Sequence, residues 1–175
     1  MAKKPSTRLI RKAQRTLIEP RIAEAGFSGK YPEWQRDTGE EVHFILMQSA
    51  KYGGGFFISG AFGTSKSFGK YPPSLAATDF DDRAEVTRLI PLWLLDGTPR
   101  PYRISHFEYV HIATDEDACQ ALVAEALPGL EALLRWFETK EMTEELDTVS
   151  SKIGSAANPD LLGRIANAKA ELGLC

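Results

Sequence analysis

Two apolar runs, Val42–Gln48 and Phe56–Phe62, flank a short polar connection that contains Gly53, Gly54 and Gly55. Runs rich in β-branched and aromatic residues, joined by glycines, predict a β-hairpin. Side chains alternate across a strand, so Val42, Phe44, Leu46 and Gln48 share one face, and His43, Ile45 and Met47 the other. Both faces are largely apolar. That places the hairpin in the middle of a covered sheet, with helices over one face and a further segment or a partner over the other.

Around this hairpin the periodicity is helical at both ends of the chain. Ser6 or Thr7 can cap a helix whose apolar positions Leu9, Ile10, Ala13 and Leu17 recur at helical spacing; Pro20 interrupts it, Arg21 to Ala25 resume, and Gly26 closes the unit. Tyr31 to Arg36 reads as the first strand, with Trp34 and Arg36 on one face and Glu33 and Gln35 on the other. Asp37-Thr38-Gly39-Glu40 supplies the turn into the hairpin. Residues 64–82 are rich in Ser, Gly, Pro and Asp and predict a long loop. Ala84 to Leu95 fits neither period, whereas Tyr102 to Ile112 reads as extended and adds to the sheet. Thr114 with Asp117 resembles a cap for a helix through Ala118, Leu122, Val123 and Ala126, continued after Pro128 by Leu130, Leu133, Leu134 and Phe137. An acidic stretch follows and predicts a short helix around Thr143 to Ser151. Asn158 and Pro159 open a last helix through Leu161, Leu162, Ile165 and Ala168.

This order of features resembles the bacterial domain of unknown function 4304 family. The residues that carry the resemblance are Ile18-Glu19-Pro20, Gly26-Phe27, Ile45-Leu46-Met47-Gln48-Ser49, Phe57-Ile58-Ser59-Gly60, and Ile165-Ala166 with Leu172-Gly173 near the end. The resemblance implies an α+β fold and a bacterial, soluble, single-domain protein, and it implies no catalytic residue.

A chain of 175 residues, 43% hydrophobic and 26% charged, is expected to form one globular domain with its own core. Three stretches organise it: a basic helical segment over 1–26, a sheet region over 27–112 and a helical region over 113–175. No run of about eighteen apolar residues is present to span a membrane. The N-terminus has no apolar signal stretch, and Cys119 and Cys175 cannot build a disulfide framework; the expectation is a cytoplasmic protein. The formal charge of −3 divides unevenly, since residues 1–21 carry seven cations against Glu19. Arg8, Arg11, Lys12 and Arg15 therefore suggest contact with nucleic acid or an anionic partner; the plainer reading is the solvated face of an amphipathic helix.

Candidate chemistry is sparse. His106 and His111 face opposite sides of any strand, and only His43 can meet either across strands, so no metal site is expected. The three glycines at 53–55 lack the lysine and helix of a phosphate loop. Asp79, Asp81 and Asp82 fit solvated loop charges, since no calcium-loop pattern surrounds them. There is no Gly-x-Ser-x-Gly elbow, and Cys119 has no activating partner in sequence. Trp34, Arg36, Lys51 and Tyr52 mix aromatic and basic character and form the candidate binding surface, because Trp, Tyr and Arg are favoured at binding hot spots.

The expectation is a single α+β domain with a mainly antiparallel sheet of about four to six strands, packed by N- and C-terminal helices. The function expected is non-catalytic protein binding, of immunity or antitoxin type, with no cofactor, no metal and no membrane contact. The rivals are nucleic-acid binding through the N-terminal helix and a small-molecule enzyme with a pocket beside loop 64–82 that uses Asp79, Asp81 or His43.

Overall fold

A computed structural model describes residues 6–51, 53–64, 82–92 and 100–148 of the chain. Helix α1 (Arg8–Leu17) starts after Thr7 and buries Ile10, Ala13 and Gln14 on one face. A second helix, α2 (Glu19–Glu24), follows at once, with Pro20 in the first turn, where a missing N–H leaves no intrahelical bond unmade. Gly26, at φ +83°, ends it, and the Phe27 N–H turns back to the Ile22 carbonyl at 3.2 Å. The predicted helix, interruption and glycine close therefore all occur.

The sheet is antiparallel throughout. Strands β1 (Ser28–Lys30), β2 (Glu33–Asp37), β3 (Glu41–Ser49), β4 (Gly55–Thr64) and β5 (Asp82–Val86) are joined in sequence order. The β3–β4 pairing runs from Glu41↔Thr64 to Ser49↔Phe56, which is the predicted hairpin. Of the ambiguous stretch Ala84 to Leu95, the described part is extended, the end of β5 and then β6 (Arg88–Leu92), broken at Thr87, while residues 93–95 lie outside the described residues. β6 pairs with β7 (Arg100–Ile104) in a separate two-stranded sheet, and β8 (Phe107–Glu108) pairs with the start of β4. The extended stretch ends sooner than expected, in a 3-10 turn over Val110–Ile112.

Helix α3 (Glu116–Ala124) is capped by Asp115, whose carboxylate accepts from the Ala118 N–H at 3.0 Å. α4 (Leu127–Thr139) begins after Ala126 with Pro128 in its first turn. The short helix expected around Thr143 to Ser151 is instead strand β9 (Leu146–Thr148), which extends the sheet beside β5 to seven strands. The acidic run offers only Met142 and Leu146 as large apolar side chains, too few for a helical stripe; Met142 is exposed and Leu146 is buried opposite Val86. The last helix, Asp79 and Asp81 lie outside the described residues.

α4 packs on β4 and β5, and α1 packs on α3. One core joins Ile10, Ile45, Ile58, Phe107, Leu133 and Trp136 between these helices and the face of the sheet that carries Ile45 and Met47. Val42, Phe44 and Ala61, on the opposite face, are buried as well, as two apolar faces demand. The fold is thus α+β with an antiparallel sheet. Among the described residues no helix is long and apolar enough to cross a membrane.

Candidate binding site

Trp34 and Arg36 share a face of β2, as strand alternation requires, but their surroundings differ. Trp34 is 5% exposed and meets the Tyr31 ring edge-on at 6.5 Å. Arg36 is drawn to the helical side: Nη1 donates to the Ala25 carbonyl at 3.0 Å, and Nη2 to His43 Nδ1 at 2.9 Å and to the Glu138 carboxylate. Lys51 is exposed on the β3–β4 connection. The structure does not gather these three into one surface, and Tyr52 lies outside the described residues.

Arg36 belongs to a chain of polar groups spanning β2, β3 and the end of α4. His43 is 2% exposed and stacks on Phe137 at 4.7 Å. A guanidinium has no acceptor, so His43 Nδ1 takes the Arg36 hydrogen bond as a lone pair and Nε2–H donates to Glu41 at 2.8 Å. Lys140 Nζ reaches the same Glu41 oxygen at 2.5 Å and the Phe137 carbonyl at 2.6 Å. These bonds hold Lys140 in the left-handed conformation, φ 59°, that terminates α4. Burial lowers the pKa of His43; the Glu41 hydrogen bond opposes this, and the Arg36 and Lys140 charges add to it. For Glu41, burial works to raise the pKa, but the hydrogen bonds and charges of Lys140 and His43 together outweigh it and hold the carboxyl below its ordinary range.

This arrangement makes stability depend on pH with a definite sign. His43 is neutral when folded and binds a proton more readily when unfolded, so its contribution is present above the ordinary histidine pKa, about 6.5. It is lost as pH falls from there through the lowered folded value. The Glu41 contribution is lost further down, as pH drops below 4.5 through its own depressed value. Urea unfolding followed from pH 8 downward should show the midpoint falling below about 6.5, and His43→Phe should flatten that limb. An unchanged slope in the variant would remove His43 as the cause.

At the other end of β3 the sheet opens into two concavities that share Tyr31 and Ser49, whose hydroxyls lie 3.3 Å apart. An open groove of about 450 Å³ lies against Pro32, Leu46, Ser49, Lys51 and Phe57. A cleft of about 230 Å³ lies on the helical side, against Ile10, Gln14, Phe56 and Tyr109. Arg11 forms its wall, with its guanidinium 3.5 Å over the Tyr31 ring, Nη1 on Gln14 Oε1 at 2.8 Å and Nη2 on Glu19 at 2.9 Å.

Of the basic residues on α1, Arg11 is thus bound to its own chain, and Lys12 pairs with Glu116 at 2.6 Å. Arg8 and Arg15 are exposed. Other chemical candidates are occupied structurally. The buried Cys119 donates its S–H to the Ile112 carbonyl at 3.3 Å, and burial, with Asp115 and Glu116 adding, raises its pKa, so it is a thiol rather than a thiolate. His106 stacks on Phe57 at 4.9 Å, and His111 is exposed in the 3-10 turn. Glu85, which sequence reasoning passed over, has its pKa raised by burial and by Asp147 opposite, against a Ser105 hydrogen bond. Among the described residues no three His, Cys, Asp or Glu side chains converge to hold a metal ion.

Fold and site together define an α+β protein whose buried titratable residues are engaged in its own scaffold and whose open concavities lie at one end of the central hairpin. Compared with family models, curated proteins and solved structures, the chain matches none. Three features of the site had no sequence signal strong enough to name them: the Glu41–His43–Lys140 chain, the shared Tyr31–Ser49 boundary, and Gln14. Only the polar residue among apolar neighbours, at Gln14 and His43, hinted at them.

Proposed function

We propose that this chain is a non-catalytic protein-binding module of immunity or antitoxin type, a cytoplasmic bacterial protein of the domain of unknown function 4304 kind. The observation that supports the reading is the open groove at the end of β3, whose walls combine aromatic and aliphatic side chains with strand backbone and a lysine. Such mixed, concave surfaces are where proteins place binding hot spots. His43, which an enzymatic reading would employ, is sealed between Arg36, Glu41 and Phe137 and has no access to a substrate.

The test is a pull-down with the tagged chain from its own cells at low and high salt, with Phe57→Ser in parallel. A stoichiometric protein that survives high salt and is lost with Phe57→Ser supports the reading. Nucleic acid released by salt would transfer the function to the exposed arginines of α1, because phosphate contacts weaken steeply with ionic strength. Retention of neither, or a protein indifferent to Phe57→Ser, overturns it.

A further inference from the structure

The two ring nitrogens of the buried His43 have opposite roles, and the charged groups around them are balanced. Among the described residues these groups are Arg36 on β2, Glu41 on β3, and Glu138 and Lys140 at the end of α4. Two cations thus face two carboxylates. Nε2–H donates to Glu41 at 2.8 Å, so Nδ1 carries the ring's one lone pair, and it accepts from Arg36 at 2.9 Å.

That lone pair is where the ring would take a proton. An imidazolium has two N–H donors and no acceptor, so the proton would set an Nδ1–H against an Arg36 N–H and bring two cations into contact. One of the two must withdraw. His43 is held in place: it is 2% exposed, stacked on Phe137 at 4.7 Å, and as a cation it is bound more strongly by the Glu41 carboxylate. Arg36 is free to leave. Its side chain is 21% exposed, and its Nε–H is buried without a hydrogen-bond partner, a donor that water satisfies once the side chain swings out.

Arg36 also ties three elements together. Nη1 donates to the carbonyl of Ala25, which closes α2, at 3.0 Å, and Nη2 to Glu138 in the last turn of α4. The guanidinium lies 4.8 Å over the Phe27 ring, which in turn meets Phe137 at 5.4 Å. Withdrawal of this one side chain therefore unties both helix ends from β2 and uncovers the aromatic contact between them. The β3–β4 ladder does not depend on it.

We propose that Arg36 is an acid-released latch: a proton on His43 expels its guanidinium and frees the end of α2 and the last turn of α4 from β2, while the sheet stays folded. The sign follows from the hydrogen bonds. The closed arrangement disfavours protonated His43, the open one accepts the proton more readily, and opening therefore grows as pH falls below the ordinary histidine value of about 6.5. Glu41, whose carboxyl is held below its ordinary range, stays ionised through this window and keeps His43 and Lys140 in place.

The experiment follows the whole 15N-labelled chain by NMR from about pH 8 to about pH 5, on either side of the histidine value. It reads the His43 ring nitrogens, the Arg36 Nε–H, and amide hydrogen exchange corrected for its intrinsic pH dependence. The amides of Phe27 and Lys140, which bond to the Ile22 and Trp136 carbonyls, should lose protection by up to about tenfold per pH unit below about 6.5, the slope set by one proton. The Arg36 Nε–H should shift as His43 gains its proton, while the amides of the β3–β4 ladder keep their protection. Arg36→Met should leave both helix ends poorly protected at every pH, and His43→Gln, whose amide does not titrate, should remove the pH dependence. Protection that stays flat to about pH 5, a His43 ring that protonates with the Arg36 signal unmoved, or equal loss of protection in the β3–β4 ladder overturns the inference. So does an undiminished pH dependence in Arg36→Met. The readings on the unsubstituted chain decide the matter even where a variant fails to fold.

Discussion

Truncation of Trp136 to alanine is expected to destabilise the protein by about 3–5 kcal/mol, the range for removing a large aromatic side chain from a packed core. Trp136 is fully buried on α4 and meets Phe62 and Phe137 with ring centroids at 5.2 Å in each case. The truncation would therefore remove an aromatic contact between helix and sheet as well as leave a cavity. Its indole N–H is buried without a hydrogen-bond partner, so Trp136→Phe, which deletes that donor and fills part of the space, should cost distinctly less. Urea unfolding of both variants checks this. Equal losses would mean that volume is not what Trp136 contributes, and a loss below about 1 kcal/mol for alanine would mean that the site collapses around the gap.

Gly55→Ala should also be strongly destabilising, and His106→Ala should rescue it. A Cβ on Gly55 would lie 1.8 Å from His106 Nε2 and within 2.8 Å of two further ring atoms. The imidazole has little freedom to move aside, because it stacks nearly parallel on Phe57 at an interplanar angle of 13°. Overpacking of this kind costs about 1–3 kcal/mol, occasionally more. No positive φ is involved at Gly55, so the penalty is steric and should vanish when the ring is removed. A double-mutant cycle measures it. A penalty for Gly55→Ala that is as large in the His106→Ala background would overturn the argument. Phe57 also walls the groove, so on the proposed protein-binding reading the single variant should weaken partner binding in parallel with stability.

The central hairpin was legible because its signal is local: alternating apolar residues on both sides of three glycines, two of which, Gly53 and Gly54, adopt φ +79° in the turn. The end of α2 at Gly26 was legible for the same reason. β9 was misread because the acidic stretch from Glu138 to Asp147 favours exposed helix by composition, while its strand depends on a ladder with β5, some sixty residues earlier in the chain. The binding surface expected from Trp34, Arg36, Lys51 and Tyr52 rested on sequence proximity and residue type. Neither discloses that Arg36 is claimed by Ala25, His43 and Glu138, nor that Tyr31 and Ser49 are the residues common to both concavities.

By itself, then, the sequence determined the α+β class, the capped and interrupted N-terminal helices, the β3–β4 hairpin and the apolar character of both faces of the sheet. Each of these follows from period, turn chemistry or conformational freedom within a few residues. Tertiary structure alone decided the sealing of His43, which requires the Arg36↔His43 register and the docking of Glu138 and Lys140 about a hundred residues away. It also decided where the β2–β3 ladder ends, at Glu33↔Leu46, short of Ser49. Sequence pattern records which side chains want burial; which backbone groups are left without a strand depends on where neighbouring strands end, and that is a property of the assembled sheet.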